Sequence, residues 1–433
     1  MVISAKDIEE TIPIAQETEK FCPAGNSNNV VVSLELSDIS PRTVRLTKKC
    51  KIIECCKAEK RKAAIPVYII TGIGILLLAS IVEWIGHSEE DKRYHLSIVA
   101  YVNELNTTWK AIYNRFASRG VSVQEISVLA SKNKISQEYL LGDTIEHIKL
   151  LKSKKLHLPE QFDARLQWPL CWSVHQVANQ GGCGSCWAIS AASVMSDRLC
   201  IATNYSNQKQ ISAEDLISCC AECGGVVHHY LCQGSNWALS AFIYWRNHGI
   251  VTGGDYGSFE GCKPYATAPN CGSPCSFEYY RKKAAPICQK TCQPLYGLSY
   301  EEDLISSQKA YWIRAEKGSN EIMPYVQEIV QETIGNDDPI ELIKREIYLY
   351  GPILACFTAR EDFQHYDSGI YQTINSTISK ELYGHCAKLL GWGEEGTFKY
   401  WLYMNTWGRN WGDYGFFRVS QSELPEEAIA GLP

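Results

Sequence analysis

The sequence predicts an α+β fold over residues 158–433, preceded by an apolar segment of bilayer length and a small helical region. Three observations carry this. The run Gln180-Gly181-Gly182-Cys183-Gly184-Ser185-Cys186-Trp187 reads as a glycine-rich loop entering a helix, because Ala188, Ala191, Ala192, Val194, Met195 and Leu199 continue it with small apolar residues at helical spacing. Residues 383–393 and 400–404 read as two strands, the first led by Gly384 and closed by Gly391-Trp392-Gly393. Residues 63–82 contain no charge and have the length that spans a bilayer as a helix.

From the N-terminus, residues 1–62 are polar, mixed in charge and punctuated by Pro13, Pro23 and Pro41, which predicts a largely disordered tail. Arg42, Arg45, Lys48, Lys49, Lys51, Lys57, Lys60, Arg61 and Lys62 precede the apolar segment, whereas Glu83, Glu89, Glu90 and Asp91 follow it. The positive-inside rule therefore leaves the tail in the cytosol, and residues 63–85 read as the signal anchor of a single-pass type II membrane protein rather than a cleaved leader or a buried core helix. All three glycosylation sequons, at Asn106, Asn204 and Asn375, follow the segment, on its luminal side. Cys55 and Cys56 stand beside it on the cytosolic side, where acylated and free thiols are both open readings.

Residues 86–157 change composition again. Ile98, Val99, Val102, Leu105, Trp109, Ile112, Tyr113 and Phe116 keep helical spacing, so a helix is predicted within 94–116. The lysine-rich stretch 145–155, ending before Leu158-Pro159, reads as an exposed processing linker. From residue 158 the chain is dense in Trp, Tyr, Gly and Cys. The net charge of -6 and the lack of a long basic run there argue against a nucleic-acid partner. Of the 19 cysteines, 15 lie at or after Cys171, a density that suits disulfides in an oxidising compartment. The group Cys219-Cys220-x2-Cys223, with His228 and His229 nearby, keeps a zinc site open as an alternative.

Cys186 falls at a predicted helix N-terminus, where unpaired N–H groups and the helix dipole favour a thiolate nucleophile. A thiolate that attacks carbonyls needs a base that can later protonate the leaving amine, and His385 stands at the head of one strand while Asn405 follows the next. Two neighbouring strands can hold these side chains together, with the Asn amide fixing the imidazole and Trp407 shielding the bond from water. Gln180 can aim its amide, with the Cys186 N–H, at a tetrahedral oxyanion.

These residues resemble the papain-like cysteine proteases, and within them cathepsin B. Cys-Gly-Ser-Cys-Trp after Gln-Gly is the family's nucleophile signature. Tyr101-Val102-Asn103-x2-Asn106-Thr107-Thr108-Trp109 resembles the cathepsin B propeptide, Leu158-Pro159-x2-Phe162-Asp163-Ala164-Arg165-x2-Trp168-Pro169 the mature N-terminus, and residues 211–220 the stretch after the active-site helix. The resemblance implies a papain-like two-lobed fold with a helical left lobe carrying Cys186 and a β-barrel-like right lobe carrying His385 and Asn405. It implies no cofactor and no metal, and pairs Cys171 with Cys200, Cys183 with Cys232, Cys219 with Cys288, Cys220 with Cys223, Cys262 with Cys292 and Cys271 with Cys275. Cys186, Cys356 and Cys386 are then expected as free thiols, Cys356 as a small buried hydrophobe and Cys386 in place of the family's usual alanine beside the catalytic histidine.

The chain also departs from cathepsin B, whose occluding loop carries two histidines that hold a substrate's C-terminal carboxylate. Residues 262–275 contain none, and the acidic positions that would anchor the loop are Asn179 and Asn410. A cleft open to internal peptide bonds is expected. His228 and His229 belong to a different insertion and read as a solvated loop. Gly234 and Ser235 occupy a pair that normally offers backbone to substrate, and Ser235 is expected to narrow the non-primed cleft. Glu427 matches the acid at the base of the second substrate pocket and implies tolerance of Arg there. Residues 314–339 read as an inserted helical surface element. The expectation is thus a cytosolic tail (1–62), a signal anchor (63–85), a propeptide (86–157) and a protease domain (158–433). It would be a zymogen acting on protein or peptide substrates in a lysosomal, vacuolar or extracellular setting. Carboxydipeptidase activity and an inactive membrane-anchored binding ectodomain are the alternatives.

Overall fold

The computed structural model describes residues 88–433 apart from 106, 121–136, 224–227, 236–237, 277–278, 281–282, 317–322 and 376. The tail, the 63–85 segment and Asn106 lie outside the described residues. Among the described residues no helix is long and apolar enough to cross a membrane.

In chain order the principal elements are α1 (Glu89–Glu104), β1 (Trp109–Ala111), α2 (Gln137–Ser153), β2 (Phe162–Asp163), α3 (Cys186–Ala202), α4 (Ala213–Cys219), α5 (Leu239–His248), β3 (Lys309–Ala315), α6 (Met323–Ile334), α7 (Pro339–Tyr350), β4 (Ile353–Arg360), β5 (Tyr366–Tyr371), β6 (Glu381–Glu395), β7 (Phe398–Met404), β8 (Phe416–Ser420) and β9 (Glu427–Leu432). The strands follow the order β1-β5-β8-β7-β6-β4-β9-β3, with β2 on β6. The β5–β8 pair alone among them is parallel. Helices therefore dominate residues 164–248, and strands dominate from 353 onward.

The predicted helix at Cys186 is α3. It is apolar on almost every side, with Ala188, Ala191, Val194 and Met195 fully buried, so it is a central helix rather than a surface one. Two consecutive charges fix its far half. Asp197 meets Lys388 of β6 at 2.9 Å, and Arg198 meets Glu346 of α7 at 2.8 Å, all four buried. Lys388 also donates to the Ser173 carbonyl and to Ser193. α3 is thereby tied to the central strand β6 and to α7 together.

Upstream, the structure corrects two expectations. Within 94–116 the helix holds only to Glu104, and Trp109 begins a strand. Beyond the Leu105 cap the Thr107 hydroxyl donates to the Val102 and Trp109 carbonyls and that of Thr108 to the Ile370 carbonyl. Trp109 then buries itself against Tyr366 and Tyr371, as β1 pairs with β5. The lysine-rich stretch is likewise not a linker throughout. Residues 145–153 are the end of α2, whose Ile148 and Leu151 are fully buried, and only Lys154 and Lys155 are exposed beyond it. Lysine content gave a solvated reading because Lys149 and Lys152 lie between the buried positions.

Six disulfides join the pairs that the family resemblance implies. Cys219, Cys220 and Cys223 are all consumed in them, which removes the zinc alternative. A seventh overturns the expectation of two further free thiols: Cys356 and Cys386 face each other across the β4–β6 ladder and are bonded. Strand register brings them together, and register is not readable from either segment alone. Replacing both by alanine is expected to lower the stability of the oxidised protein by ~2–4 kcal/mol. Thermal unfolding without reductant checks this.

Candidate active site

The site begins in the loop before α3. Gly181 adopts φ +57°, which brings the chain round beneath residue 268. Gly184 lies so close to the neighbouring loop that a Cβ there would meet the Cys232 carbonyl oxygen at 2.7 Å, and the Cys183–Cys232 disulfide fixes the same contact. Cys186 is the first residue of α3. The preceding Ser185 gives its hydroxyl to Tyr265 (2.7 Å) and makes no side-chain cap, which leaves the helix-terminal N–H groups for other partners.

Cys186 is the one free cysteine among the described residues and is buried. Burial pushes its thiol up to about 11, while backbone hydrogen bonds from Cys386, Trp187 and its own residue act in the opposite direction. The Cys386 contact brings β6 to the thiol. Ser190, one turn along α3, donates to the Cys386 carbonyl at 3.1 Å.

His385 precedes Cys386 on that strand and is 1% exposed. Its Nε2 lies 2.7 Å from Asn405 Oδ1, which also accepts the Thr406 N–H at 2.8 Å. An oxygen that accepts from Thr406 assigns the amide orientation, so Nε2 carries the imidazole proton and Nδ1 is left as the basic nitrogen, buried and without a hydrogen-bond partner. Trp407 lies against the ring at 4.7 Å between centroids and Phe357 meets it edge-on at 5.6 Å. Burial lowers the imidazole to about 4, opposed by the Asn405 bond. Thiol and imidazole are thus each neutral when considered singly. The helix N-terminus at Cys186 favours the thiolate form.

Gln180 is 2% exposed and is held at both ends of its amide. Oε1 accepts from Thr406 at 2.6 Å and Nε2 donates to the Cys183 carbonyl at 3.0 Å. The second Nε2 hydrogen is the one available to an oxyanion. Asn179 pairs its backbone with Trp407 and accepts the Gly181 N–H through Oδ1 at 2.9 Å, so it serves the nucleophile loop, and Asn410 is exposed.

Ala268, Cys271, Tyr279 and Tyr280 lie close to the nucleophile loop. Tyr279 packs over Gly182, and the buried Tyr280 is near enough to Cys186 and Tyr383 for their charges to raise its phenol further beyond the effect of burial. Nothing in the spacing of the sequence had pointed to Tyr280 or to Tyr265. Asn114 donates to the Ser273 carbonyl at 2.8 Å, and the Phe116 ring lies against Gly272.

On the other side, Gly234 has φ +124° with open space where a side chain would stand. Ser235 donates to the Cys223 carbonyl at 2.8 Å. Glu427 accepts from Trp312 Nε1 at 3.0 Å, and burial raises its carboxyl to about 7. Asn204 and Asn375 are exposed at the surface.

This arrangement, a lone thiol at a helix start in contact with Cys386 and a preceding imidazole held by an amide, coincides with a match of residues 158–430 to the papain family cysteine protease model. The chain belongs to that family. Within it the chain is similar to cathepsin B-like cysteine proteinase 3 of Caenorhabditis elegans, 34% identical over 346 residues, covering 77% of this chain and 81% of the relative. The cathepsin B-like cysteine proteinase of Schistosoma japonicum is 33% identical over 349 residues, covering 77% of this chain and 90% of the relative. Among solved structures, procathepsin B S9 from Trypanosoma congolense superposes with TM-score 0.53 at 26% identity, over 78% of this chain and 97% of the other. The protein is a cathepsin B-like cysteine peptidase of papain-like fold.

A hydrogen bond to a charged group contributes ~1.5–3 kcal/mol, so Asn405→Ala is expected to lower kcat/KM about 10- to 150-fold. Steady-state kinetics on a fluorogenic peptide read this, with the fold checked by circular dichroism.

Proposed function

We propose that this protein is a cysteine endopeptidase that uses Cys186 as nucleophile, His385 as general base and acid, Asn405 as the group that orients the imidazole, and Gln180 as an oxyanion donor. The observation that carries this reading is the buried Nε2–Asn405 bond, which reserves Nδ1 for a proton from sulfur on the strand against which α3 packs. In the reaction the thiolate attacks the scissile carbonyl. The oxyanion takes N–H groups from Cys186 and Gln180, the imidazolium gives its proton to the leaving amine, and water then hydrolyses the acyl-enzyme through the same imidazole.

Endopeptidase action is supported by the absence of histidine from residues 262–283 and by Asn179 being engaged with Gly181, so that neither a carboxylate clamp nor an acidic loop anchor is present there. Synthesis as a membrane-anchored zymogen rests on the 63–85 segment and its flanking charges, with residues 1–62 as a cytosolic tail. Latency is supported by the pro-segment contacts to the loop above the thiol. The mature domain would act in the endolysosomal or extracellular space.

An active-site-directed epoxide applied to the activated enzyme should label Cys186 and leave Cys186→Ala unlabelled. An end-blocked peptide should then be cut faster than dipeptides are released from a free C-terminus; equal rates would restore the carboxydipeptidase reading, and absence of labelling the binding-ectodomain reading.

Glu427 adds a pH dependence. Its carboxyl is neutral below about 7 and ionised above, because burial has raised it. The ratio of kcat/KM for Arg over Phe at the second substrate position should therefore rise as pH approaches 7 and level off above it. Glu427→Gln should flatten the profile.

A further inference from the structure

A cavity of about 190 Å³ lies where β4, β5, β7 and β8 meet the turn that follows β8. None of Cys186, His385, Asn405 and Gln180 lines it. Its wall is aromatic, built from Phe357, Phe363, Tyr371 and Tyr403, with Phe363 meeting Tyr371 edge-on at 5.2 Å and Phe357 meeting Tyr403 at 6.0 Å. An apolar cavity of about 150 Å³ takes up a benzene molecule, so this one has room for a single ring with a short arm.

The charge around this apolar wall is lopsided. Glu381, Glu423 and Glu426 line the cavity, and Arg360 is the one cation among the lining residues. Arg360 is already engaged, since it pairs with Glu381 at 3.6 Å and donates to the Ser379 carbonyl. The other two carboxylates are oriented by neutral donors. Glu423 accepts the Thr373 N–H at 2.7 Å and its hydroxyl at 3.0 Å, and Glu426 accepts the Thr358 N–H at 3.2 Å and its hydroxyl at 2.7 Å. Arg314, which donates to the Pro425 carbonyl of the same turn, pairs with Glu316. Threonine bonds fix where the carboxylates stand and leave their charge in place.

One polar group in the wall points to an occupant independently of the acids. Tyr403 is 1% exposed, its ring stacked on Phe417 at 4.8 Å, yet its hydroxyl makes no hydrogen bond among the described residues. Buried hydroxyls ordinarily find a partner. Burial and the charge of Glu423 both raise this phenol, so its oxygen stays protonated and keeps lone pairs for an N–H donor. The side of the residue left without a neighbour is the one that lines the cavity.

We propose that this cavity is a binding site for a small organic cation, a protonated primary amine carried on one aromatic ring, with the ring among Phe357, Phe363 and Tyr371 and the ammonium donating to the Tyr403 hydroxyl and the Glu423 carboxylate. An ammonium has three N–H donors and no acceptor, which suits a pocket offering a hydroxyl oxygen and a carboxylate side by side. The site is separate from the thiol, but Phe357 and Phe363 are also the rings that face His385, at 5.6 Å and 6.4 Å between centroids. An occupant therefore rests on the far side of the packing that holds the imidazole. The assignment does not depend on the protease reading, because binding is measured without turnover.

The test is calorimetric titration of the purified full-length chain at pH 7 with benzylamine, benzyl alcohol and methylamine. Benzylamine is expected to bind saturably with one site per chain, and the alcohol, which lacks the charge, and methylamine, which lacks the ring, to bind about tenfold more weakly or worse. Glu423→Gln should weaken benzylamine by about tenfold and Tyr403→Phe by roughly 2- to 10-fold, whereas Glu427→Gln, at a buried carboxyl outside the cavity, should leave it unchanged. Thermal unfolding without ligand checks that each variant is folded, and the three-ligand comparison stands on the unmutated chain if one is not. Absence of saturable binding at millimolar benzylamine, equal binding of benzyl alcohol, or loss of binding in Glu427→Gln with retention in Glu423→Gln each overturns the proposal.

Discussion

The chemistry depends on one contact, that of α3 against β6. The thiol belongs to the helix and the imidazole to the strand, and nothing in the local chain of either holds the other. Two attachments set the distance. Ser190 donates to the Cys386 carbonyl close to the reacting groups, and Asp197 meets Lys388 farther along. Burial raises Asp197 and lowers Lys388, each against the pull of its partner, so the pair is poor as a source of net stability. Its value is positional. A lone member left buried would cost ~3–5 kcal/mol, and that penalty removes packings in which helix and strand slide past one another.

Burial also acts on the thiol and the imidazole. Both Cys186 and His385 are shifted towards their uncharged forms. Tyr280 is buried near Cys186, and Asn114 and Phe116 contact Ser273 and Gly272.

What could be read from the sequence followed from local signals. The loop, the helix and the two strands were legible because glycines, small residues and apolar runs specify them within a dozen positions, and Cys186, Gln180, His385 and Asn405 lie on those elements. Three features were not legible. The Cys356–Cys386 bond depends on β4–β6 register, and register is a property of two segments together. Tyr265 donates to the Gln180 carbonyl from a segment that no local pattern connects to the nucleophile loop. α2 was hidden because its lysines dominate the composition, while the buried positions Thr144, His147, Ile148 and Leu151 include two polar residues that weaken the apolar period.

That last failure bears on how the enzyme is delimited. A boundary drawn at residue 158 from sequence likeness would cut off a helix that covers the sheet's terminal strand and completes a buried charge cluster. Without it Glu346 keeps Arg198 but loses His147, and Ala310 and Trp312 lose the acceptors that α2 supplies. An exposed strand edge invites pairing with other chains. The helices α2 and α6 are coupled to one another, since Lys152 donates to the last carbonyls of α6.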